Sequence, residues 1–142
     1  MSTQTFARIW GILFLIIGAA GFVPGLTMMD HDHPDMTMDA GLGLELGLFP
    51  VNVLHNIVHL LFGVWGLLAA RSLGAARGYA RSVAVIYAVF AVMGLISAAK
   101  LWTTFGLVPL YGNDVWLHAL LAAVAAYFGF FRRERADRED AR

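Results

Sequence analysis

The sequence predicts an all-α fold, a bundle of four transmembrane helices, and two observations predict it. The chain has 142 residues, of which 59% are hydrophobic and only 14% charged. A soluble domain of this length carries about a quarter charged residues. The charges are also segregated into a first loop, a middle loop and the C-terminal tail, which leaves apolar stretches at 6–23, 50–70, 79–99 and 114–131. Each is near the ~20 residues needed to cross a hydrocarbon core of about 30 Å. Lipid offers the backbone no hydrogen-bond partners, so such stretches must be helical. The chain reads as one membrane domain.

The first stretch has an apolar core followed by Gly18-Ala19-Ala20-Gly21, features shared with cleaved signal peptides. It has a counterpart in the internal repeat described below, so it is expected to remain as a helix. The polar segment 28–45 is expected to be an insertion between the first two helices on the periplasmic side. The remaining links are short, and residues 132–142 form a charged tail.

Charge sets the orientation. Arg8, Arg71, Arg77, Arg81, Arg132, Arg133, Arg135, Arg138 and Arg142 flank one set of helix ends, and only Lys100 falls at the other. Basic flanks are retained in the cytoplasm. Both termini are therefore expected in the cytoplasm, with Asp30, Asp32, Asp35, Asp39, Glu45 and Asp114 outside. The formal net charge is zero, and no contiguous basic face exists, which argues against nucleic acid as a partner. Cysteine is absent, which excludes disulfides, thiolate metal sites and thiol chemistry.

Two segments match at an offset of 59 residues. Gly47-Leu48-Phe49-Pro50 precedes the second stretch and Gly106-Leu107-Val108-Pro109 the fourth, with His59 and His118 equally far beyond. Each half then reads as a helical hairpin, and parallel repeats are related by an axis along the membrane normal. His59 and His118 would sit at one height, facing each other. Close packing in lipid depends on small residues. Gly11, Gly18, Gly21 and Gly25 supply them on the first helix, and Ala84, Ala88, Ala91 and Ala98 on the third.

Asn52, His55, Asn56 and His59 share one helical stripe, because residues three and four apart lie on one face. Ionisable residues within a membrane point to function. His55 and His59 are one turn apart, about 6 Å along the axis, so both can reach one ion. His118 offers a third ligand, and the asparagines can orient the imidazoles. A Zn or Cu ion is one use. Ligation of a haem or another tetrapyrrole pigment by His59 and His118 is another. Hydrogen-bonded structural histidines, and proton or solute handling, stay open beside these.

The outer segment holds a second cluster: Met28, Met29, His31, His33, Met36 and Met38. Thioethers favour Cu(I), and imidazole suits Cu(II) or Zn(II). Its acidity and its lack of apolar periodicity read more simply as a solvated loop. No phosphate-binding glycine loop or supported nucleophile arrangement is present, and no paired carboxylates are expected within the bundle.

The run Gly47-Leu48-Phe49-Pro50-Val51-Asn52-Val53-Leu54-His55-Asn56-Ile57-Val58-His59 resembles a bacterial family of small four-helix membrane proteins, catalogued as domain of unknown function 4383. Gly66-Leu67-Leu68-Ala69-Ala70-Arg71 and Asn113, Trp116, Leu117 and His118 also look like it. The resemblance implies a fold and an envelope location but no activity. The Met/His segment departs from it. The sequence thus points first to an accessory or scaffold subunit whose partners are lipid, other membrane helices or a second copy. The alternative is a module whose histidines hold haem, a pigment or a metal.

Overall fold

Ser2 starts the first helix: its hydroxyl accepts from the Thr5 amide at 3.1 Å. In the computed structural model, which describes residues 1–31 and 33–134, helix α1 runs Thr3–Ala20. Side-chain caps also fix the next two starts. Asn52 Oδ1 accepts from the His55 amide at 2.8 Å and opens α2, Val53–Ala69. Ser72 does the same for α3, Leu73–Gly94. Each cap satisfies an amide that the helix itself leaves free. The third helix thus begins before the apolar stretch expected from residue 79, because capping rather than hydropathy sets its start. Helix α4, Asn113–Ala126, continues as a wider final turn over Tyr127–Phe131.

Among the described residues, three helices are long and apolar enough to cross a membrane: α1, α3, and α4 with its final turn. Helix α2 is apolar but has 17 residues, about 26 Å at 1.5 Å per residue. The expected tail falls largely in 135–142, which with Asp32 lies outside the described residues.

The segment between α1 and α2 adds a small antiparallel sheet to the helical fold, with strand order β1-β2-β3. Its strands are β1 Thr27–Met28, β2 Gly43–Glu45 and β3 Phe49–Val51. Leu46 and Gly47 turn β2 into β3 with φ of 53° and 70°. That left-handed pair matches the twist that tight hairpins need. Pro50 lies on the edge strand β3, where a missing N–H is tolerated. The link from α3 to α4 is a run of tight turns over Ala98–Gly106, with left-handed Ala99, Lys100, Thr104 and Phe105.

Backbone approach organises the helices. Helix α1 packs mainly on α2, and α3 mainly on α4. A Cβ built on Gly11 would stand 2.9 Å from the Gly63 carbonyl, and one on Gly66 2.9 Å from the Ala7 carbonyl. Only glycine allows that approach, as expected where packing rather than the hydrophobic effect drives association. Aromatic rings fill the centre: Phe6 stacks on Phe128 at 4.7 Å, and Phe14, Phe62 and Tyr87 form a triangle with centroids 5.6–6.0 Å apart.

The two ends of the bundle differ. At one, Glu134 accepts from the Thr3 amide at 2.8 Å and its hydroxyl at 3.0 Å. The first and last described helices therefore meet at the same end. At the other, the outer segments tie together. The Thr37 and Met38 amides donate to the Gly106 carbonyl, both at 2.9 Å. Asn52 Nδ2 donates to Met38 and Leu107 carbonyls at 2.9 and 2.7 Å. The Tyr111 hydroxyl donates to Asp30 at 2.9 Å. Burial, and then that carboxylate, push the Tyr111 phenol above its ordinary pKa.

Candidate functional site

The first two turns of α2 and α4, with the residue before α2, bring six polar side chains into the apolar bundle. His55 stands in the first turn of α2 and His59 one turn further, with ring centroids 4.5 Å apart. Asp114 and His118 stand one turn apart on α4. Asn52, Asn56, His55, His59, Asp114 and His118 are all buried, none more than 8% exposed.

The closest pair is His118 Nδ1 and Asp114 Oδ2, at 3.1 Å. Neither atom makes an aligned hydrogen bond, although both are fully buried. His55 completes a group with them: one ligand atom from each of His55, Asp114 and His118 lies within 4.8 Å of the others. His55 Nδ1 also lacks a hydrogen-bond partner among the described residues.

The His118–Asp114 separation of 3.1 Å suits a common ion. Tetrahedral ligands at 2.0–2.1 Å from zinc stand about 3.3 Å from one another. An imidazole nitrogen and a carboxylate oxygen that are close but misaligned for a hydrogen bond are arranged as co-ligands are. Two imidazoles and one carboxylate suit zinc, and also the iron of non-haem oxygenases.

His59 lies outside that group. Its ring stacks on Phe14 at 5.5 Å, and its Nδ1 is buried without a hydrogen-bond partner. The aromatic triangle of Phe14, Phe62 and Tyr87 closes the bundle on this side. His118 packs edge-on to Tyr87 and Phe90 at 4.7 and 5.7 Å.

Both Asn56 amide atoms are buried without a hydrogen-bond partner among the described residues. Asn52 caps α2 and binds the outer segments. The Asn56 amide lies against Gly21, where any Cβ would overlap it.

A cavity of about 210 Å³ adjoins the cluster. Its walls are mostly apolar surface, and buried Glu45, Val51, His55, His59 and Asp114 border it. Its rim is apolar: half-buried Ile17, Phe49 and Leu117, and exposed Leu46. Glu45 sits on β2, and burial raises its carboxyl above the usual range.

The Met/His segment is mostly exposed. Met28 lies beside Gly47, with its sulfur 3.1 Å from where a Cβ there would stand. Met29 is 79% exposed. His31 and His33 are exposed, Met36 is half-buried and Met38 exposed. His33 Nδ1 lies 3.0 Å from its neighbour's carbonyl, that of Pro34.

Two site residues escape a reading of the sequence by charge alone. Glu45 and Asp114 look like ordinary outer acids, yet both are buried. The signal for Asp114 is its spacing of four from His118, which repeats that of His55 from His59.

Fold and site together define a small helical membrane protein with an ionisable cluster buried under the loops at one end of its helices. The chain belongs to the family described as domain of unknown function (DUF4383), which matches residues 4–131. No curated protein and no solved structure matches it.

Proposed function

We propose that this chain is a four-helix protein of the bacterial inner membrane that holds one divalent transition-metal ion between His55, Asp114 and His118. The observation that carries the reading is the buried His118–Asp114 pair, 3.1 Å apart without hydrogen-bond alignment, with His55 in reach of both. Leaving such groups buried and unsatisfied is costly. A shared cation would satisfy all three. Three protein ligands leave a fourth position open, and the cavity lies beside it.

The same reading has α2 as the fourth span and both termini in the cytoplasm. The Thr3–Glu134 contact at one end, and the joined outer segments at the other, support an even number of crossings. Arginine at the Thr3–Glu134 end supports its placement inside. The parallel repeat draws support from Gly47 and Gly106, matched in sequence and both left-handed with φ of 70° and 87°. The aromatic closure below His59 favours holding an ion over passing it across the membrane.

An accessory role has less behind it, because lipid alone accounts for the exposed apolar side chains along the helices. Copper capture by the outer segment has less again, since its sulfur and imidazole groups are spread over exposed chain.

The test is metal loading of gently purified protein. One equivalent of Zn²⁺, with a Co²⁺ spectrum of four- or five-coordination by nitrogen and oxygen, is expected. Protein that binds no stoichiometric ion after chelation and reloading would overturn the reading.

A further inference from the structure

The cavity and the ionisable cluster share a wall. His55 and Asp114 line the cavity, and they are two of the three side chains grouped closely enough to ligate one ion. An ion bonded to both stands directly behind the wall they form. Nearly all of the surface that the cavity presents is apolar, and Ile17, Leu46, Phe49, Val51 and Leu117 stand around it.

What such a space admits follows from that surface. Apolar walls offer water and ions no hydrogen bonds, and apolar cavities of roughly 150 Å³ stay dry yet take up xenon. Here the volume is about 210 Å³, below the roughly 300 Å³ at which pockets for drug-sized ligands begin. The ion does not reverse this choice. A divalent cation beside ionised Asp114, with Glu45 either ionised or protonated, leaves the site neutral or weakly positive. Electrostatics alone therefore would not keep a small anion away. Stripping that anion of water along an apolar wall would, at a cost far above that for an uncharged molecule. What fits is small, uncharged and poorly hydrated, and lipid is the phase in which such molecules concentrate.

The ligand set says what such a molecule does there. Two imidazoles and one carboxylate with open positions hold ferrous iron in non-haem oxygenases. Ferrous iron held in this way coordinates diatomic gases, whereas zinc, with a filled d shell and no redox chemistry, does not.

We propose that the ion is ferrous iron, and that the apolar cavity admits a diatomic gas, dioxygen or nitric oxide, from the lipid to its open position. This rests on the three-ligand ion site and adds the identity of the ion and the class of molecule it binds.

The test uses the full chain in lipid nanodiscs, stripped with chelator and reloaded with Fe²⁺ in the absence of air. Nitric oxide should give the high-spin ferrous nitrosyl EPR signal, one per bound iron. Ile17→Trp, which fills the cavity from its rim, should slow formation of that signal at least tenfold. Ile17→Ala, which widens the mouth, should speed it severalfold. Azide, an anion that ligates accessible ions, should leave the spectrum of the Co²⁺-loaded chain unchanged. Exposure to air separates the two gases. Iron that turns ferric, each Fe²⁺ passing one electron to dioxygen and leaving superoxide, assigns the site to dioxygen. Iron that takes nitric oxide but stays ferrous in air assigns it to nitric oxide. Bound Fe²⁺ without a nitrosyl signal would overturn the proposal and leave the ion site standing. So would azide ligating the Co²⁺ form, or a nitrosyl that forms at one rate in the parent chain and both variants. A folded chain that loads no ion would end this proposal together with the metal reading. Helix content and iron stoichiometry, measured on the same samples, tell these outcomes apart.

Discussion

His55 on α2 and Asp114 on α4 occupy the same step of the two matched segments, 59 residues apart, and they face each other in one buried group. That offset puts an imidazole opposite a carboxylate, which neutralises part of an ion's charge where two histidines would not. If these are ligands of one centre, their losses are not additive. His55→Ala, Asp114→Ala and His118→Ala should each lower Zn²⁺ affinity by more than about 100-fold, beyond the roughly 10–100-fold of an outer hydrogen-bonding partner. The double variant should be hardly worse than either single. His59→Phe should keep the ion. Isothermal titration after chelation measures all of these, and additive losses would argue against a shared centre.

The helical class was legible because charge leaves long apolar stretches in the sequence, and lipid dictates what such stretches become. The approach of His55, His59 and His118 was legible in part, from helical stripes and the offset between His59 and His118. Glu45 and Asp114 were harder to see, because an acid near a helix end is normally solvated. Here the hairpin at Leu46 and Gly47 folds β2 over the bundle and buries Glu45. Asp114 is covered because α4 starts beneath the outer segments. Asn52 was misleading for a related reason. Its stripe matches the histidines, but as the residue before the helix it serves the backbone, and only the structure shows where α2 begins.

Glycines in contact should behave oppositely to glycines in the open. Gly11 meets the backbone of α2, whereas Gly78 on α3 has nothing within 4 Å of a built Cβ. Gly11→Ala should destabilise the fold by about 1–3 kcal/mol through overpacking. Gly78→Ala should leave it unchanged or stabilise it by up to about 1 kcal/mol, the helix-propensity difference. Unfolding in mixed micelles measures both, and equal effects would count against the close α1–α2 approach.

The Thr3–Glu134 clasp should be sensitive to acid. The amide hydrogen bond from Thr3 leads the effects that hold the Glu134 carboxyl below its ordinary pKa. A depressed folded-state pKa means that the clasp stabilises the fold above the ordinary value of about 4.3. That contribution is lost as pH falls through the folded-state value. Glu134→Gln should therefore lower the thermal midpoint at pH 7 but not at a pH below the folded-state value. A constant difference at both pH values would mean that the carboxylate charge is not what matters.

The four-span topology is open to direct labelling, because the chain has no cysteine of its own. Met29→Cys, at an exposed outer position, should react with an impermeant maleimide added to intact cells. Arg133→Cys should react only after the membrane is opened. Reaction of both in intact cells would put an even number of crossings between the two positions and would remove the proposed four-span topology.

The last prediction separates an ion from a tetrapyrrole. Bis-histidine haem ligation needs a flat slab of space between two imidazoles. Around His118 that space is filled: Tyr87 and Phe90 stand edge-on at 4.7 and 5.7 Å, and the His55 ring at 6.2 Å. On the His59 side Phe14 stacks at 5.5 Å, and the adjoining cavity of about 210 Å³ is too small for a macrocycle. Opening a slab would mean displacing packed rings from a close-packed interior, and such interiors resist added volume by about 1–3 kcal/mol even for single methylenes. Protein from a host grown with excess haem precursor should therefore show no Soret band, while still retaining one equivalent of Zn²⁺ or Fe²⁺. His118→Ala should lose the ion and leave the visible spectrum unchanged. A haem spectrum abolished by both His59→Ala and His118→Ala would show that the rings part to admit a macrocycle, and would replace the ion site with a haem site.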